Sequence, residues 1–161
     1  MDARRTFAGV CAALALTAMI GIARSGAMAA DELKLAPDLS FTDDSSSSFP
    51  IASKQSTDGA LSSGEATVIF FGTAHCWNTN REAERLVALY PKYRGKMHFV
   101  IVDLNHVSAE QKPLVAKYYQ GAIPTIAVVD SKGQVIYDRA GETASNRGDI
   151  SNLQSLLNSV H

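Results

Sequence analysis

The sequence predicts an α/β fold in which helices cover both faces of a central mixed β-sheet. Two continuous apolar, β-rich runs each precede a segment whose apolar residues recur at helical spacing. Such runs are typical of strands buried on both faces of a sheet. A hairpin signal and an amphipathic closing helix follow. A parallel pair with crossover helices, then an antiparallel hairpin and a last helix, gives a sheet covered on both sides.

The first strand is predicted at residues 67–71, where the sequence reads Thr-Val-Ile-Phe-Phe. Residues 72–75 make a turn, and a helix opens around Asn78. Its apolar residues at helical spacing are Ala83, Leu86, Val87 and Tyr90. We expect Pro91 and Gly95 to end this helix.

The second strand is predicted at residues 98–103, again a continuous apolar run. Residues 108–111, Ser-Ala-Glu-Gln, resemble a capping box, in which the first and last side chains bond each other's backbone amides. The helix that follows runs to Tyr118 or Tyr119 and stops at Gly121.

The C-terminal third of the chain contains a predicted hairpin and a closing helix. Residues 125–130 and 134–137 are strand-like and flank Ser131-Lys132-Gly133, a turn sequence. The apolar residues of the closing helix are Ile150, Leu153, Leu156, Leu157 and Val160.

Residues 1–29 have the pattern of an export signal. Arg4 and Arg5 precede a nearly uncharged stretch rich in Ala and Leu, and residues 27–29 supply a small-x-small cleavage site. We expect cleavage after Ala29 and export to the periplasm or outside the cell, by the twin-arginine or the general secretory route. The alternative is that the stretch stays as a membrane anchor, since its length is close to a minimal span.

The mature chain is predicted to hold one domain. Residues 30–64 are polar and small and are interpreted as a spacer or lead-in, in which the apolar pieces 33–39 and 49–52 could add an edge strand or hairpin. The domain proper is assigned to residues 65–161. The formal charge of −1 gives no electrostatic reason to expect a nucleic acid or an anionic membrane as partner.

The mature chain is expected to contain a single thiol, that of Cys76. The chain has two cysteines, and Cys11 leaves with the signal, so that only Cys76 remains. A single thiol cannot form an internal disulfide. Such a residue is buried and inert, paired with another molecule, or kept for its reactivity. A Cys76-linked dimer is a further possibility when the protein is oxidised.

Residues 66–160 resemble the thioredoxin superfamily. The features that carry the resemblance are the strand ending in Phe70-Phe71, the tetrapeptide Cys76-Trp77-Asn78-Thr79, the segment Gly121-Ala122-Ile123-Pro124-Thr125, and the Gly133 hairpin. The resemblance implies a thioredoxin fold in which Pro124 follows a cis peptide bond and faces the active-site cysteine.

The sequence places Cys76 at the start of a helix. Free backbone amides and the positive end of the helix dipole stabilise a thiolate there and raise the nucleophilic fraction at neutral pH. His75, if protonated, would act in the same direction, and its alternative is a solvated turn residue. The predicted substrate-binding residues are His75, Trp77, Asn78, Ile123 and Pro124, although Trp77 could simply pack on the domain.

Two departures from the family pattern limit the chemistry. The family's second cysteine is replaced by Thr79, so a mixed disulfide at Cys76 has no internal thiol to resolve it. The Thr79 hydroxyl could still donate a hydrogen bond to the thiolate. The buried acid that many members carry six residues before the cysteine is replaced by Phe70. Glutathione or another external thiol is therefore the expected resolving agent.

Three functional hypotheses follow from these residues. Cys76 could exchange with disulfide-bearing or thiol proteins and peptides as a monothiol oxidoreductase. Alternatively, the surface of Trp77, Ile123 and Pro124 could bind an extended peptide without redox chemistry. A thiol peroxidase is the weaker alternative, because Thr73-x-x-Cys76 resembles part of the peroxiredoxin signature, but Ile69 stands where that signature has proline.

The other polar residues predict no further site. No metal-ligand spacing is present, because His98, His106 and His161 are scattered along the chain. The charged residues of the first long helix are expected on a solvated face. They are Arg81, Glu82, Glu84 and Arg85.

Overall fold

The computed structural model describes residues 32–53, 59, 61, 64–138 and 149–160. The predicted export signal lies outside these residues. Within them the chain forms the following elements, in order: β1 (Lys34–Leu35), β2 (Ile51–Ala52), β3 (Thr67–Gly72), α1 (Trp77–Tyr93), β4 (His98–Asp103), α2 (Lys112–Tyr118), β5 (Thr125–Val129), β6 (Val135–Asp138) and α3 (Ser151–Asn158). None of the helices among the described residues is long and apolar enough to cross a membrane.

Four strands form the central sheet, in the order β4-β3-β5-β6. β3 pairs with β4 in parallel and with β5 antiparallel, and β6 closes the hairpin with β5. The predicted fold class is therefore confirmed: an α/β thioredoxin fold built on a mixed sheet. All six residues of β3 are buried, as expected of a strand covered on both faces.

The alternation of side chains along the strands divides the core into two layers. Helices α1 and α3 cover one face of the sheet, where Leu86 and Leu157 pack with Phe70 and Ile126. Helix α2 covers the other face, where Leu114 and Tyr118 pack with the alternate strand residues. Those strand residues are Ile69, Phe71, Val100, Val102, Ala127 and Val129.

Helix α1 is longer than predicted at its C-terminal end. It continues through Pro91 to Tyr93, and the Arg94 amide donates to the carbonyl of Tyr90 at 2.8 Å. Proline costs a helix the hydrogen bond that its own nitrogen would donate, but its fixed φ is close to the helical value. The last turn therefore tolerates Pro91, and the helix ends before Gly95, whose φ is 76°.

Helix α2 is shorter than predicted at its N-terminal end. Ser108 Oγ accepts the Gln111 amide at 3.2 Å, as the motif requires. The Gln111 side chain, however, is buried and donates its Nε2 to the carbonyl of Ile101 at 2.9 Å. It therefore ties the loop to β4, and the helix begins at Lys112.

The N-terminal stretch adds a small antiparallel hairpin, β1–β2, within the two apolar pieces noted in the sequence. Leu33 and Ile51 are buried in the same core layer as α1 and α3. Phe49 lies edge-on to Phe70 of β3, with ring centroids 6.2 Å apart. Residues 32–53 are thus packed against the sheet domain rather than separate from it. The boundary predicted at residue 65 stays a prediction.

Candidate functional site

The chain turns sharply between β3 and α1 to present Cys76. Gly72 ends β3, where a Cβ atom would overlap the Cγ2 of Thr79, so only glycine lets the helix approach the strand this closely. His75 has a φ of 55°, the left-handed region in which histidine is among the better tolerated residues. Cys76 then takes an extended conformation as the N-cap of α1. The sequence prediction of a cysteine at the helix start agrees with this geometry.

Buried side-chain oxygen atoms in the first turn of α1 have no hydrogen-bond partner among the described residues. Cys76 is half-buried, and its side chain makes no capping hydrogen bond. Thr79 is fully buried and Asn78 half-buried. Thr79 Oγ1 and Asn78 Oδ1 have no hydrogen-bond partner among the described residues. The Thr79 hydroxyl therefore does not bond the sulfur in this structure. It stays available as a donor for a negatively charged sulfur.

The segment Gly121–Thr125, which we call the cis-proline loop, lies at the same end of the sheet. The peptide bond between Ile123 and Pro124 is cis. Thr125 pairs with Phe71 in the β3–β5 register, so Pro124 lies beside Gly72, where the turn to Cys76 begins. The Thr125 hydroxyl donates to the Ala122 carbonyl at 2.5 Å and closes the loop. Ile123 is 38% exposed, whereas Pro124 is buried.

A second segment, residues 38–48, reaches the N-terminal end of α1, and we call it the strap. The backbone amide of Trp77 donates to Asp44 Oδ1 at 2.8 Å. Asn80 Nδ2 donates to the Ser40 carbonyl at 2.6 Å and to Ser46 Oγ at 2.9 Å. The sequence analysis interpreted these residues as part of a polar spacer. In the structure they are bonded to the helix that carries Cys76.

Arg81 adds a further contact between α1 and the strap. Its Nε donates to the Phe41 carbonyl at 2.7 Å, and its guanidinium carbon lies 5.8 Å from the centre of the Trp77 ring. Arginine over an indole face is a favourable cation–π arrangement. The arginine that was expected to be solvated therefore joins the strap to the side chain beside Cys76.

The strap is also bonded to itself. The Ser40 amide donates to the buried Ser46 hydroxyl at 2.6 Å, and the Ser48 hydroxyl donates to Asp38 Oδ2 at 2.9 Å. Asp43 accepts the Ser45 amide at 3.1 Å. Hydrogen bonds from Ser45 and then from Ser40 lower the pKa of Asp43 from its ordinary value of 3.8. A serine-rich segment is therefore ordered here by local side-chain to backbone bonds.

The prediction that all four charged residues of α1 lie on a solvated face is also wrong for Glu82 and Arg85, which are buried. Glu82 and Arg85 are 1% and 6% exposed, and Arg85 Nη1 lies 2.6 Å from Glu82 Oε2. The i,i+3 spacing lets the two side chains meet on the core side of the helix, where burial of a charge requires a partner. Glu84 is exposed, as predicted.

An exposed histidine pairs with Asp103 at the end of β4. His106 Nδ1 lies 2.8 Å from Asp103 Oδ2, and the histidine side chain is 80% exposed. Within the described ranges, no three His, Cys, Asp or Glu side chains converge in a way that could hold a metal ion.

Comparison with solved structures shows that the chain is similar to a thioredoxin. The crystal structure of the germline-specific thioredoxin protein Deadhead from Drosophila melanogaster is similar to this chain, with 14% sequence identity and a TM-score of 0.47. The similarity covers 61% of this chain and 83% of that chain. No family model matches the sequence, and no curated protein matches it.

The structure thus places most of the predicted site residues at one end of the sheet. Cys76, Trp77 and Asn78 lie at the start of α1, and Ile123 and Pro124 lie in the cis-proline loop. Thr79 is buried in the same first turn of α1, and His75 is exposed in the turn that precedes the helix.

Sequence reasoning missed the strap and the α1 residues that hold it. The residues concerned are Ser40, Phe41, Asp44, Ser46, Asn80 and Arg81. The one available signal was Asp43-Asp44 followed by four serines, which is equally typical of a solvated linker.

Proposed function

We propose that this thioredoxin-fold protein carries out thiol–disulfide exchange through the single thiol of Cys76. The observation that supports the proposal most directly is the position of Cys76 as the N-cap of α1, at the end of the sheet that also carries the cis-proline loop. A sulfur at this position lies beside backbone amides and the positive end of the helix dipole, which favour the thiolate.

The proposed cycle has two exchange steps. The Cys76 thiolate attacks one sulfur of a substrate disulfide, the substrate S–S bond breaks, and the other substrate sulfur leaves as a thiolate that takes up a proton. The product is a mixed disulfide with Cys76. A small external thiol, of which glutathione is the type, then attacks the substrate sulfur of the mixed disulfide. This releases the Cys76 thiolate and leaves the substrate bonded to the external thiol.

The neighbouring residues have separable roles in this proposal. Thr79 has a buried hydroxyl without a partner among the described residues, and it would donate a hydrogen bond to the thiolate once that charge forms. Trp77 and the exposed Ile123 would contact the substrate chain on either side of the sulfur. The buried Pro124 would fix the loop against which an extended substrate lies.

The proposal is tested with a glutathionylated peptide, using reduced mature protein and excess glutathione. We expect release of the free peptide by the wild-type protein and only the uncatalysed rate with Cys76→Ser. Thr79→Val removes the hydroxyl and keeps the shape, so that the rate should fall about tenfold while the fold is unaffected. A wild-type rate equal to that of Cys76→Ser would contradict the proposal.

Peptide binding without redox chemistry is the second candidate. The observation in its favour is Ile123, an apolar side chain that is 38% exposed beside the buried cis-proline. Isothermal titration of a reduced, extended peptide distinguishes the two functions. A binding module would bind the peptide equally well in the wild type and in Cys76→Ser, and neither protein would accelerate exchange.

Export completes the proposal, and it rests on residues 1–29 alone. A periplasmic or secreted protein meets disulfide-bearing proteins and peptides as substrates, which suits a thiol exchanger. The intact mass of the protein recovered from the cell envelope or medium tests this part. A chain that begins at Ala30 supports cleavage, and a full-length chain in the membrane fraction would indicate an anchor.

A further inference from the structure

The N-terminal end of α1 already carries a negative charge in the resting protein. The Trp77 amide, the first of the helix, donates to the carboxylate of Asp44 at 2.8 Å. Cys76 immediately precedes Trp77 and makes no capping bond of its own. The stabilisation that a helix start offers to an anion is therefore already used by a residue 33 positions earlier in the chain.

The strap holds Asp44 in this position. Asn80 and Arg81, on the next turn of α1, bind the strap at Ser40, Ser46 and Phe41 with donor–acceptor distances of 2.6 to 2.9 Å. The Ser40–Ser46 bond closes the strap between these anchors. Asp44 lies between Phe41 and Ser46 in the sequence, so its carboxylate is kept at the helix end by anchors on both sides.

We propose that Asp44 restrains the reactivity of Cys76. A thiolate at Cys76 would form next to an existing carboxylate, and two like charges at one helix end disfavour each other. The inference rests on the proposed function, because it concerns the reactivity of the same thiol. It assigns Asp44 as a positioning residue, since its carboxylate acts through the Trp77 amide.

Other charged groups meet at this end of the molecule and have to be considered with Asp44. They are Asp43 on the strap, His75 in the turn, Arg81 on α1, and the Asp103–His106 pair after β4. Arg81 is engaged with Phe41 and the Trp77 ring, and His106 with Asp103. The cis-proline loop contributes no charged residue. Among these groups, Asp44 is the one whose carboxylate accepts the backbone amide of Trp77, the residue next to Cys76.

The test is the pH dependence of Cys76 alkylation by iodoacetamide in the full mature protein, with a mass readout. Asp44→Asn removes the charge but keeps an oxygen that can accept the Trp77 amide. A charge at a helix start typically changes an equilibrium about two- to fivefold, so the alkylation midpoint should fall by about 0.3 to 0.7 pH units. Glu84→Gln, an exposed carboxylate further along α1, controls for net charge and should leave the midpoint unchanged.

A second measurement is the salt dependence of the alkylation midpoint of the wild-type protein. High salt screens charges that are not buried, so the wild-type midpoint should move toward that of Asp44→Asn at about 1 M salt. Asp44→Ala removes both the charge and the hydrogen bond, and its midpoint should fall at least as far as that of Asp44→Asn. The inference is overturned if Asp44→Asn matches Glu84→Gln, or if its midpoint rises.

The assay with the glutathionylated peptide distinguishes a failure of this inference from a failure of the proposed function. If Asp44→Asn lowers the alkylation midpoint but no variant accelerates exchange, the restraint by Asp44 stands and the exchange function fails. If the wild type exchanges through Cys76 and Asp44→Asn is alkylated like the wild type, the exchange function stands and the restraint fails.

Discussion

The cis-proline loop and the strap both lie at the end of the molecule that carries Cys76, but they are held in different ways. The loop leads directly into β5. Its position is fixed because β5 pairs with β3 and all five residues of β5 are buried. The strap is held by hydrogen bonds to residues 33 to 40 positions away in the sequence. The loop should therefore move only when the sheet unfolds, whereas the strap can open while the sheet stays intact.

The largest expected effect is on the sheet side of this comparison. Ile126 of β5 is fully buried one residue after the loop, and Ile126→Ala should lower the free energy of unfolding by about 2 to 5 kcal/mol. Ile136→Ala makes the same change on β6, where the side chain is 38% exposed, and should cost about 0.5 kcal/mol or less. Urea denaturation followed by far-UV circular dichroism measures both. If the two substitutions lowered the free energy of unfolding equally, burial in β5 would not explain why the cis-proline loop is held more firmly than the strap.

A smaller effect is expected from the strap side. Asn80→Ala removes the bonds to the Ser40 carbonyl and the Ser46 hydroxyl, at a cost of about 1 to 3 kcal/mol. Because the strap then loses the two anchors that Asn80 supplies, Asp44 should leave the helix end more often, and the alkylation midpoint of Cys76 should fall in the same direction as in Asp44→Asn. Asn105→Ala changes an exposed asparagine after β4 and serves as the control. A stability loss without a change in alkylation would mean that the strap does not hold Asp44.

The smallest effect is a dependence of strap stability on pH. The pKa of Asp43 is lower in the folded protein than its ordinary value of 3.8, because Ser45 and Ser40 bond the carboxylate. Its contribution to stability is therefore complete above pH 3.8 and is lost as the pH falls through the lower, folded-state value. Thermal melts should separate the wild type from Asp43→Asn at pH 6 and bring them together at low pH. A difference that grows on acidification would contradict this.

The sequence was sufficient to predict the sheet, because strands that are buried on both faces are continuous runs of apolar residues. Residues 67–71 and 98–103 are strands, as their continuous apolar runs predicted, and a helix follows each strand. The turn sequence at residues 131–133 joins β5 to β6, as expected. The cis bond before Pro124 followed from a resemblance, and no periodic pattern would have shown it.

The strap could not be predicted, because its bonds join residues whose types are common in linkers. Nothing in Asp44 itself distinguishes a carboxylate that accepts a helix amide from one that is solvated. Glu82 and Arg85 were misplaced for a related reason. Their charges favour a solvated face, and only the tertiary structure shows that they pair with each other in the core.

The amide that holds Asp44 belongs to Trp77, the only tryptophan in the chain. Its indole ring is half-buried at the end of α1 with Arg81 above it. Intrinsic fluorescence excited near the indole band therefore comes from one position beside the thiol. Emission wavelength and quenching by acrylamide can follow strap opening and peptide docking in the unlabelled protein, and circular dichroism can follow global unfolding in parallel.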